Sequence, residues 1–349
     1  MFLANGDKLN GGKYTVERQL GQGRFCITYL VKDSSDERFV IKTLNYNSLG
    51  LQNQSEEEKE RLENKFLNEA QKIERCRHSN IVKVEEVFKE NGQYYLVMEY
   101  LAGYSLAERD QKVMAETDAL SYIKQIASAL KVVHKQGLIH RDVKPANIII
   151  RSSGGKSEAI LIDFDLALDF ESNITTQKTK EASAGYAPPE LYSRTAQKDK
   201  VSPATDVYSL TATLYNLLTG EKPTDAIELK IDKVSIVPPQ QLNPKISDRA
   251  NKAILLGMRL EPANRPHSIQ AWLDLFELDS VAEEESTTDD TSTREARKIN
   301  WNANTIAAIG GLLAGIAAIL ALIPQFVEMF KPEVTPSPTP TETSMPKQE

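Results

Sequence analysis

Two polar segments near the middle of the chain carry the side chains that transfer of a phosphoryl group from a nucleotide requires. Residues 140–147 read HRDVKPAN, and residues 163–165 read DFD. The transferring group carries dispersed negative charge, so an enzyme needs oxygen ligands for a metal ion, a carboxylate that accepts the hydroxyl proton and a cation on the phosphates. Asp142 fits the role of proton acceptor, and Lys144 fits the role of the cation on the transferring phosphate.

The two candidate metal ligands flank a predicted hairpin. Asn147 precedes the apolar run 148–150 and Asp163 follows the apolar run 159–162, with Gly154 and Gly155 between the runs. Short apolar runs around a pair of glycines predict two buried strands joined by a tight turn. We therefore expect Asn147 and Asp163 to face one cleft, where their oxygens suit Mg²⁺.

With these motifs the chain resembles the eukaryotic-like protein kinases, and the position of Lys144, two residues after Asp142, is similar to their serine/threonine branch. The resemblance implies an α+β, two-lobed protein kinase fold, in which a small antiparallel β-rich N-lobe carries helix C and the larger C-lobe is α-helical. It also implies ATP and Mg²⁺ as cofactors, and transfer of the γ-phosphate of ATP to serine or threonine hydroxyls of protein substrates.

A glycine-rich loop stands where this family binds the phosphates of its nucleotide. Glycines allow the backbone to come close to phosphates. Strand-like residues 14–20 and 27–32 flank the loop, and Lys42, in the strand-like run 39–42, stands where the family has its phosphate-binding lysine. An ordinary hairpin turn and a lysine on a strand edge are the alternative interpretations. The residues assigned to nucleotide binding here are Leu20, Gly21, Gln22, Gly23, Arg24, Phe25, Cys26, Ile27 and Thr28.

A predicted helix supplies a partner for Lys42. Ser55 and the three glutamates after it resemble a capping box with an acidic first turn. Apolar residues then recur at helical spacing at Leu62, Phe66, Ala70 and Ile73. By resemblance, Glu69 takes the place of the helix C glutamate that pairs with the strand lysine. A solvated glutamate on the helix surface is the alternative.

The resemblance also places a set of residues around the adenine ring of the nucleotide. Met98, in the predicted strand 94–100, occupies the gatekeeper position. For each member of the set, an ordinary place in the core is the alternative. The set is Leu20, Thr28, Val40, Met98 and Ile149.

Further residues match structural positions of the family. Residues 182–190 resemble the segment that closes the activation loop. Asp206, near the start of a predicted helix that ends at Gly220, matches the aspartate that braces the backbone of the catalytic loop. Arg265 matches the arginine that pairs with Glu190.

Two positions depart from the family pattern. Cys26 stands where the loop usually has its third glycine, and Asp165 stands where the metal-binding tripeptide usually ends in glycine. We expect Cys26 to lie close to the phosphates and stiffen the loop, while it leaves Gly21 and Gly23 free to approach the nucleotide. A buried or neutral filler is the favoured role for its thiol, and a redox switch is the alternative. We expect Asp165 to point to solvent or to bond the backbone. Altered metal binding or a locked activation segment is the alternative for Asp165. The protein would then be a pseudokinase, which binds nucleotide and transfers no phosphate.

The stretch between the tripeptide and residue 184 offers sites of regulation. In kinases with an arginine before the catalytic aspartate, as Arg141 is here, a phosphate on this loop pairs with that arginine and orders the loop. We expect autophosphorylation in the cluster 175–179, and a substrate-orienting role for Ser183. A merely polar loop is the alternative. The candidate hydroxyls are Thr175, Thr176, Thr179 and Ser183.

The composition fits one globular catalytic unit with appended segments. The chain has 349 residues, of which 40% are hydrophobic, enough for a two-lobed core of about 260 residues. The 2 cysteines, Cys26 and Cys76, imply no disulfide framework and fit a reducing cytosol. The formal net charge of −7 and the lack of a basic stripe argue against nucleic-acid binding.

The sequence changes in character twice after the catalytic unit. Residues 277–302 are acidic and rich in serine and threonine, which predicts a juxtamembrane linker. Residues 306–323 contain no polar side chain, and the span 305–327 would reach roughly 34 Å at the helical rise. This length matches a bilayer core, so the segment 303–327 is predicted to be a transmembrane helix. A buried helix packed on the catalytic unit is the alternative.

Charges and aromatic residues around this predicted helix set its orientation. Arg294, Arg297 and Lys298 precede it, and Trp301 and Phe326 mark its edges. Positive charges favour the cytoplasmic side, so we expect a single-pass membrane protein with a cytoplasmic kinase domain and a short C-terminal tail on the opposite side. The predicted segments are an N-terminal extension, 1–13; the kinase domain, 14–276; the linker, 277–302; the helix, 303–327; and a Pro/Thr-rich tail, 328–349.

The whole arrangement resembles bacterial membrane-anchored serine/threonine kinases, and residues 27–30 and 186–190 are similar to cyanobacterial members. Gly311 and Gly315 have the spacing that lets transmembrane helices approach, which predicts a homodimer, although glycine and alanine are common enough here for that spacing to arise by accident. A membrane scaffold without catalysis is the remaining alternative. It would have no need for the acidic residues of the two central motifs.

Overall fold

A computed structural model of the chain describes residues 3–23, 25–50, 55–164, 184–192 and 201–277. These residues all belong to one unit, residues 1–286. Several predictions fall outside the described residues: those on Arg24, Asp165, Thr175, Thr176, Thr179 and Ser183, and those on the segments after residue 277. Among the described helices, none combines the length and the apolar character that a membrane crossing requires.

The N-lobe is built on a six-stranded antiparallel sheet in the order β1-β2-β3-β4-β6-β5. Its strands are β1 Lys8–Leu9, β2 Tyr14–Gln22, β3 Cys26–Lys32, β4 Arg38–Leu44, β5 Val84–Glu90 and β6 Gln93–Glu99. Lys42 on β4 lies opposite Thr28 of β3 and Leu96 of β6, so its strand is paired on both sides. This excludes the alternative of a lysine on a strand edge.

The sheet begins before the predicted start of the kinase domain. Lys8 pairs with Thr15 and Leu9 pairs with Tyr14, and the Leu9 side chain is buried. Part of the segment 1–13, predicted as an extension, is therefore a strand of the sheet. Two residues carry too little hydrophobic pattern to indicate a strand, which is why the sequence did not show it.

Helix α1, Glu56–Arg75, forms where the sequence predicts a helix, and it packs against β5 and β6 of the sheet. The Ser55 hydroxyl accepts a hydrogen bond from the backbone N–H of Glu58 at 3.3 Å, and three glutamates occupy the first turn. These contacts satisfy a free donor at the helix start and offset the positive end of its dipole. The predicted inward face is buried: Leu62, Phe66, Ala70 and Ile73.

The C-lobe is mainly helical, with a three-stranded sheet beside the cleft. Its helices are α2 Glu116–Lys135, α3 Pro203–Thr219, α4 Ala226–Asp232, α5 Pro239–Leu242, α6 Asp248–Gly257 and α7 Ile269–Leu273. The small sheet has the order β7-β8-β9, with β7 Tyr104–Ser105, β8 Ile148–Ser153 and β9 Lys156–Leu161. The predicted hairpin at Gly154 and Gly155 is therefore confirmed.

Helix α3 is buried along its whole length after Pro203. Its hydroxyls bond the helix itself: those of Thr211 and Thr213 donate to the carbonyls four residues earlier, at 2.6 and 2.9 Å. These bonds let the two threonine side chains stay inside the core with their hydroxyls paired. Gly220 ends the helix at φ 76°, the left-handed conformation expected of a C-terminal glycine.

The segment after α1 fastens the N-lobe to the C-lobe. Asn80 Nδ2 donates to Gln125 Oε1 on α2 at 3.0 Å and to the Ala159 carbonyl on β9 at 2.8 Å. The backbone N–H of Leu161 donates to Asn80 O at 2.9 Å, and the N–H of Val82 donates to Leu161 O at 3.0 Å. The N-lobe is thus attached beside β9, the strand that leads to Asp163.

Candidate active site

A buried aspartate on α3 holds the backbone of the 140–147 loop. Asp206 Oδ2 accepts from the backbone N–H of His140 and Oδ1 from that of Arg141, both at 2.8 Å. Arg141 has φ 68°, a left-handed conformation that is unfavourable for a residue with a long side chain. The two bonds hold this turn, directly before Asp142. The bracing role predicted for Asp206 is therefore present in the structure.

A histidine that the sequence analysis did not single out keeps Asp206 charged. His134, near the end of α2, places Nε2 at 2.7 Å from Asp206 Oδ2. Complete burial opposes ionisation of Asp206, but His134 and the loop N–H groups outweigh it and hold the pKa of Asp206 below its usual value. His134 and Asp206 lie far apart in the sequence, so no local spacing could indicate this pair.

The Asp142 carboxylate is oriented by both neighbours that the sequence assigned to it. Lys144 Nζ donates to Oδ1 at 2.9 Å and to Oδ2 at 2.7 Å. Asn147 Nδ2 donates to Asp142 Oδ2 and to the Asp142 carbonyl, both at 2.8 Å. Because the nitrogen of the Asn147 amide faces Asp142, its oxygen remains as the atom that can bind a cation.

Lys42 reaches across the cleft to the second motif. Its Nζ lies 2.5 Å from Asp163 Oδ1 and 2.9 Å from the carbonyl of Phe164. The surrounding protein opposes ionisation of Asp163, but the Lys42 ammonium outweighs this effect and holds the pKa of Asp163 below its usual value. Asp163 is therefore a carboxylate at neutral pH, and its side chain remains 49% exposed toward the cleft. A charged, accessible carboxylate suits a magnesium ligand.

Glu69 lies on α1 with its carboxylate oxygen Oε2 buried, which does not fit a solvated surface glutamate. Lys42 pairs with Asp163, and a pairing of Lys42 with Glu69 stays a prediction. Glu63, on the same helix, contacts two side chains, one on the N-lobe sheet and one in the turn after β4. Its Oε1 accepts from the Tyr46 hydroxyl at 2.8 Å and its Oε2 lies 2.9 Å from Lys89 Nζ.

An apolar cleft with a volume of about 340 Å³ lies between the lobes. All five residues predicted for the adenine ring line it, together with Gly21, Lys42, Asn147 and Asp163. Six further lining residues were not predicted from the sequence: Val82, Glu99, Tyr100, Leu101, Ala146 and Ile162. Ala146 and Ile162 directly precede Asn147 and Asp163, and this adjacency was the signal that could have found them.

The glycine-rich loop forms the hairpin between β2 and β3, and it lies over one side of the cleft. Leu20, Gly21 and Thr28 line the cleft, whereas Gln22, Gly23, Phe25 and Ile27 are not among its lining residues. A register shift between Gln19 and Gly21 interrupts the ladder close to the cleft. The hairpin thus contributes fewer residues to the cleft wall than the nine assigned to it.

Cys26 takes the buried role expected of it. It is the first residue of β3, it lies opposite Leu44 on β4, and its side chain is only 7% exposed. It belongs to the same core cluster as Leu44, Leu49 and Phe66. The cysteine that replaces the usual third glycine therefore packs into the N-lobe core and does not line the cleft.

The predicted pair of Glu190 and Arg265 is fully buried. Arg265 Nη1 and Nη2 donate to Glu190 Oε1 and Oε2 at 2.7 and 3.0 Å. The remaining guanidinium N–H groups donate to the carbonyls of Ala204, Leu260 and Arg259, at 3.1, 2.7 and 2.5 Å. All five donors of the arginine are thus used, which is the condition for a stable buried guanidinium.

The burial of His140 makes the stability of the folded protein depend on pH. Complete burial lowers the pKa of His140 below its ordinary 6.5, against the opposing effect of the nearby Asp206 and Asp142 carboxylates. Its Nδ1 lies 3.3 Å from the backbone N–H of Asp142 and its Nε2 lies 3.2 Å from the Ile162 carbonyl, which suits a neutral ring protonated at Nε2. Below pH 6.5, His140 is protonated in the unfolded chain but stays neutral in the folded protein. The free energy of unfolding therefore falls as the pH decreases.

We expect this loss to reach at most about 1.4 kcal/mol per pH unit for one proton, as measured by urea unfolding between pH 7.5 and 5. The His140→Phe variant should show a flatter profile in this range. His78, whose pKa is also lowered by burial, contributes in the same direction, so His78→Gln serves as the comparison. An unchanged slope in His140→Phe would contradict the assignment.

Comparison with known proteins agrees with this geometry. The protein kinase domain family matches residues 14–272. A probable serine/threonine-protein kinase of Clostridium acetobutylicum is 33% identical over 292 residues, which cover 81% of this chain and 42% of that protein. The human serine/threonine-protein kinase Nek5 is 30% identical over 264 residues, which cover 73% of this chain and 35% of that protein. The chain thus matches less than half the length of either relative.

A solved structure has the same fold. The kinase domain of PknI from Mycobacterium tuberculosis superposes with a TM-score of 0.58 at 24% identity, and the match covers 80% of this chain and all of that domain, 100%. At this level of identity the likeness concerns the fold, a β-rich N-lobe and a helical C-lobe with a cleft between them.

Proposed function

Because the chain belongs to the protein kinase family, we propose that it transfers the γ-phosphate of ATP to serine and threonine hydroxyls of proteins. One observation carries the proposal: Asn147 and Asp163 line the polar end of an apolar cleft, and the Asn147 amide also bonds the Asp142 carboxylate, which Lys144 orients. An apolar wall suits a nucleotide base, and the polar end suits its phosphates.

Each polar group has one task in this proposal. Asp142 accepts the proton of the substrate hydroxyl, while Lys144, bonded to Asp142, stabilises the charge on the transferring phosphate. Lys42 exchanges its contact with Asp163 for the phosphates of ATP. Asn147 and Asp163 would hold Mg²⁺, which neutralises charge on the phosphates when it is bound.

A transfer assay with the full chain tests this proposal. We expect labelled phosphate to move from ATP to serine- and threonine-containing peptides in the presence of Mg²⁺, and to stay on ATP when EDTA is added. Peptides with tyrosine as their only acceptor serve as the control. Binding of ATP without any transfer would instead support the pseudokinase interpretation raised by Asp165.

The chain's own threonines are proposed as a second substrate. Thr175, Thr176 and Thr179 follow the metal-binding motif, and Arg141 precedes the catalytic aspartate, which is the pattern of kinases regulated by phosphate on this loop. After incubation with ATP and Mg²⁺, mass spectrometry should find phosphate on the peptide that spans residues 175–179. An unmodified peptide from a protein that phosphorylates other substrates would reject this proposal.

The site of action is proposed to be the inner face of a membrane. The apolar segment 306–323 and the basic residues before it support this placement, with the kinase domain on the cytoplasmic side. Carbonate extraction of membranes from expressing cells should leave the full chain in the membrane fraction and release a chain that ends at residue 300. Release of both chains would contradict the tether.

Self-association through the same segment is proposed from Gly311 and Gly315. In detergent, the double variant Gly311→Ile, Gly315→Ile should migrate as a monomer under conditions in which the unaltered chain forms a dimer. Equal self-association of the two proteins would exclude the glycine contact.

A further inference from the structure

Asn45, directly after β4, lies beneath the tip of the glycine-rich hairpin. Its Nδ2 donates to the carbonyl of Gly23 at 2.8 Å, and its backbone N–H donates to the carbonyl of Phe25 at 2.7 Å. The N–H of Gly23 in turn donates to the carbonyl of Cys26 at 2.8 Å, which closes the tip. Asn45 therefore bonds both arms of the tip, although its side chain is only 1% exposed and does not line the cleft.

The turn that follows β4 fixes the direction of the Asn45 amide. Asn45 Oδ1 accepts from the N–H of Ser48 at 3.2 Å, and the Asn45 carbonyl accepts from the N–H of Leu49 at 3.0 Å. Since the Ser48 N–H requires an acceptor, the amide oxygen must face Ser48 and the NH₂ group must face Gly23. The next residue, Tyr46, bonds Glu63 on α1, so the whole turn is fastened to the helix.

Gly23 itself has no comparable support from packing. It is exposed, its neighbour Leu20 is 39% exposed, and the ladder between β2 and β3 shifts register before the tip. The β2 arm of the hairpin, whose side chains are exposed from Arg18 to Gln22, loses conformational freedom when a ligand orders it, and that loss weakens binding. A hydrogen bond that orders the hairpin before the ligand binds reduces this loss of conformational freedom.

We propose that Asn45 is a positioning residue that holds the tip of the hairpin in place over the phosphates of the nucleotide. The inference rests on the proposed function, because it assumes that the cleft binds ATP with its phosphates under the hairpin. Asn45 touches neither the nucleotide nor the reacting atoms; it acts through the carbonyls of Gly23 and Phe25.

Comparison of two ligands separates this role from general support of the fold. Adenosine occupies the apolar part of the cleft, whereas ATP also engages the hairpin tip. Loss of the Asn45 bond should therefore weaken ATP binding and spare adenosine binding. Damage to the N-lobe as a whole would weaken both.

Two variants of the full chain carry the test. Asn45→Asp keeps the size of the side chain and the acceptor for Ser48, but places an oxygen against the Gly23 carbonyl. Asn45→Ala removes the side-chain bonds to Gly23 and to Ser48. We expect the dissociation constant for ATP with Mg²⁺, measured by titration calorimetry, to rise roughly five- to tenfold in both variants, the loss expected from one net hydrogen bond. The constant for adenosine should change less than about twofold, and KM for ATP should rise while kcat stays near the wild-type value.

Asn91→Asp is the matched control, because Asn91 lies in the exposed turn between β5 and β6 of the same lobe. If Asn45→Ala does not fold, Asn45→Asp carries the test alone. ATP binding unchanged in Asn45→Asp, or weakened equally with adenosine binding, overturns the positioning role. Failure of the wild-type chain to bind ATP would overturn the proposed function as well. The titration of the wild-type chain with ATP detects that outcome without either variant.

Discussion

Replacing Asp142 by asparagine should lower kcat for phosphate transfer by about 10²- to 10⁴-fold, the usual contribution of a general base. The structure gives a second reason for a large effect. Lys144 contacts both oxygens of the carboxylate at 2.9 and 2.7 Å, and in the variant one of these oxygens becomes an NH₂ group that repels the ammonium. The substitution therefore removes the proton acceptor and also disturbs the cation beside it.

Binding of ATP should be nearly unaffected by the same substitution. Asp142 is not among the residues that line the cleft, whereas Asn147 and Asp163 are. KM for ATP and its dissociation constant should therefore stay near the wild-type values while kcat falls. Asp110→Asn, at an exposed position of the C-lobe, is the control for the change of charge. Transfer at the wild-type rate by Asp142→Asn would place the proton acceptor elsewhere.

Replacing Glu190 by glutamine should reduce the free energy of unfolding by about 3–5 kcal/mol, the typical effect of breaking a buried ion pair. The side chains of Arg265 and Glu190 are 0% and 1% exposed. Without the carboxylate, the guanidinium stays in the core with uncompensated charge. Its remaining bonds to backbone carbonyls cannot replace the lost attraction. Urea unfolding of the full chain and the variant measures the difference.

An exposed ion pair of the same composition provides the control. Arg38 and Glu17 lie 2.9 Å apart, with 53% and 23% of their side chains exposed. Glu17→Gln should change the free energy of unfolding by less than about 1 kcal/mol. The double variant Glu190→Leu, Arg265→Met should recover only part of the stability lost in Glu190→Gln, because it leaves no charge in the core but removes the donor of the Ala204, Leu260 and Arg259 carbonyls. If Glu190→Gln and Glu17→Gln had the same small effect, the buried pair would not be a main support of the C-lobe.

Local patterns in the sequence were sufficient for much of the site. The spacing of Asp142, Lys144 and Asn147 within one short loop nearly fixes their mutual distances, and the structure brings all three together. The apolar runs that flank Gly154 and Gly155 fixed the hairpin that carries Asn147 and Asp163 to the same cleft. Inward-facing residues of α1 were predicted for the same reason, since helical periodicity is a local property.

Contacts between distant side chains could not be predicted in this way. His134 and Asp206 meet through two helices, and Asn45 reaches Gly23 across the end of the sheet. Neither partner of such a pair changes the local pattern around the other, so nothing in the sequence near His134 or Asn45 indicated its distant contact. The short strand β1 escaped notice because two residues have no measurable periodicity.

The attachment of the 140–147 loop to α3 has a consequence for the turnover cycle. Asp206 ties the loop to a helix that is buried along its length, whereas Lys42 and the glycine-rich hairpin belong to the sheet of the N-lobe. In the proposed reaction, an opening of the cleft for nucleotide exchange would shift Lys42 and the hairpin. Asp142, Lys144 and Asn147 would keep their mutual arrangement and would not have to be reassembled for each round of transfer.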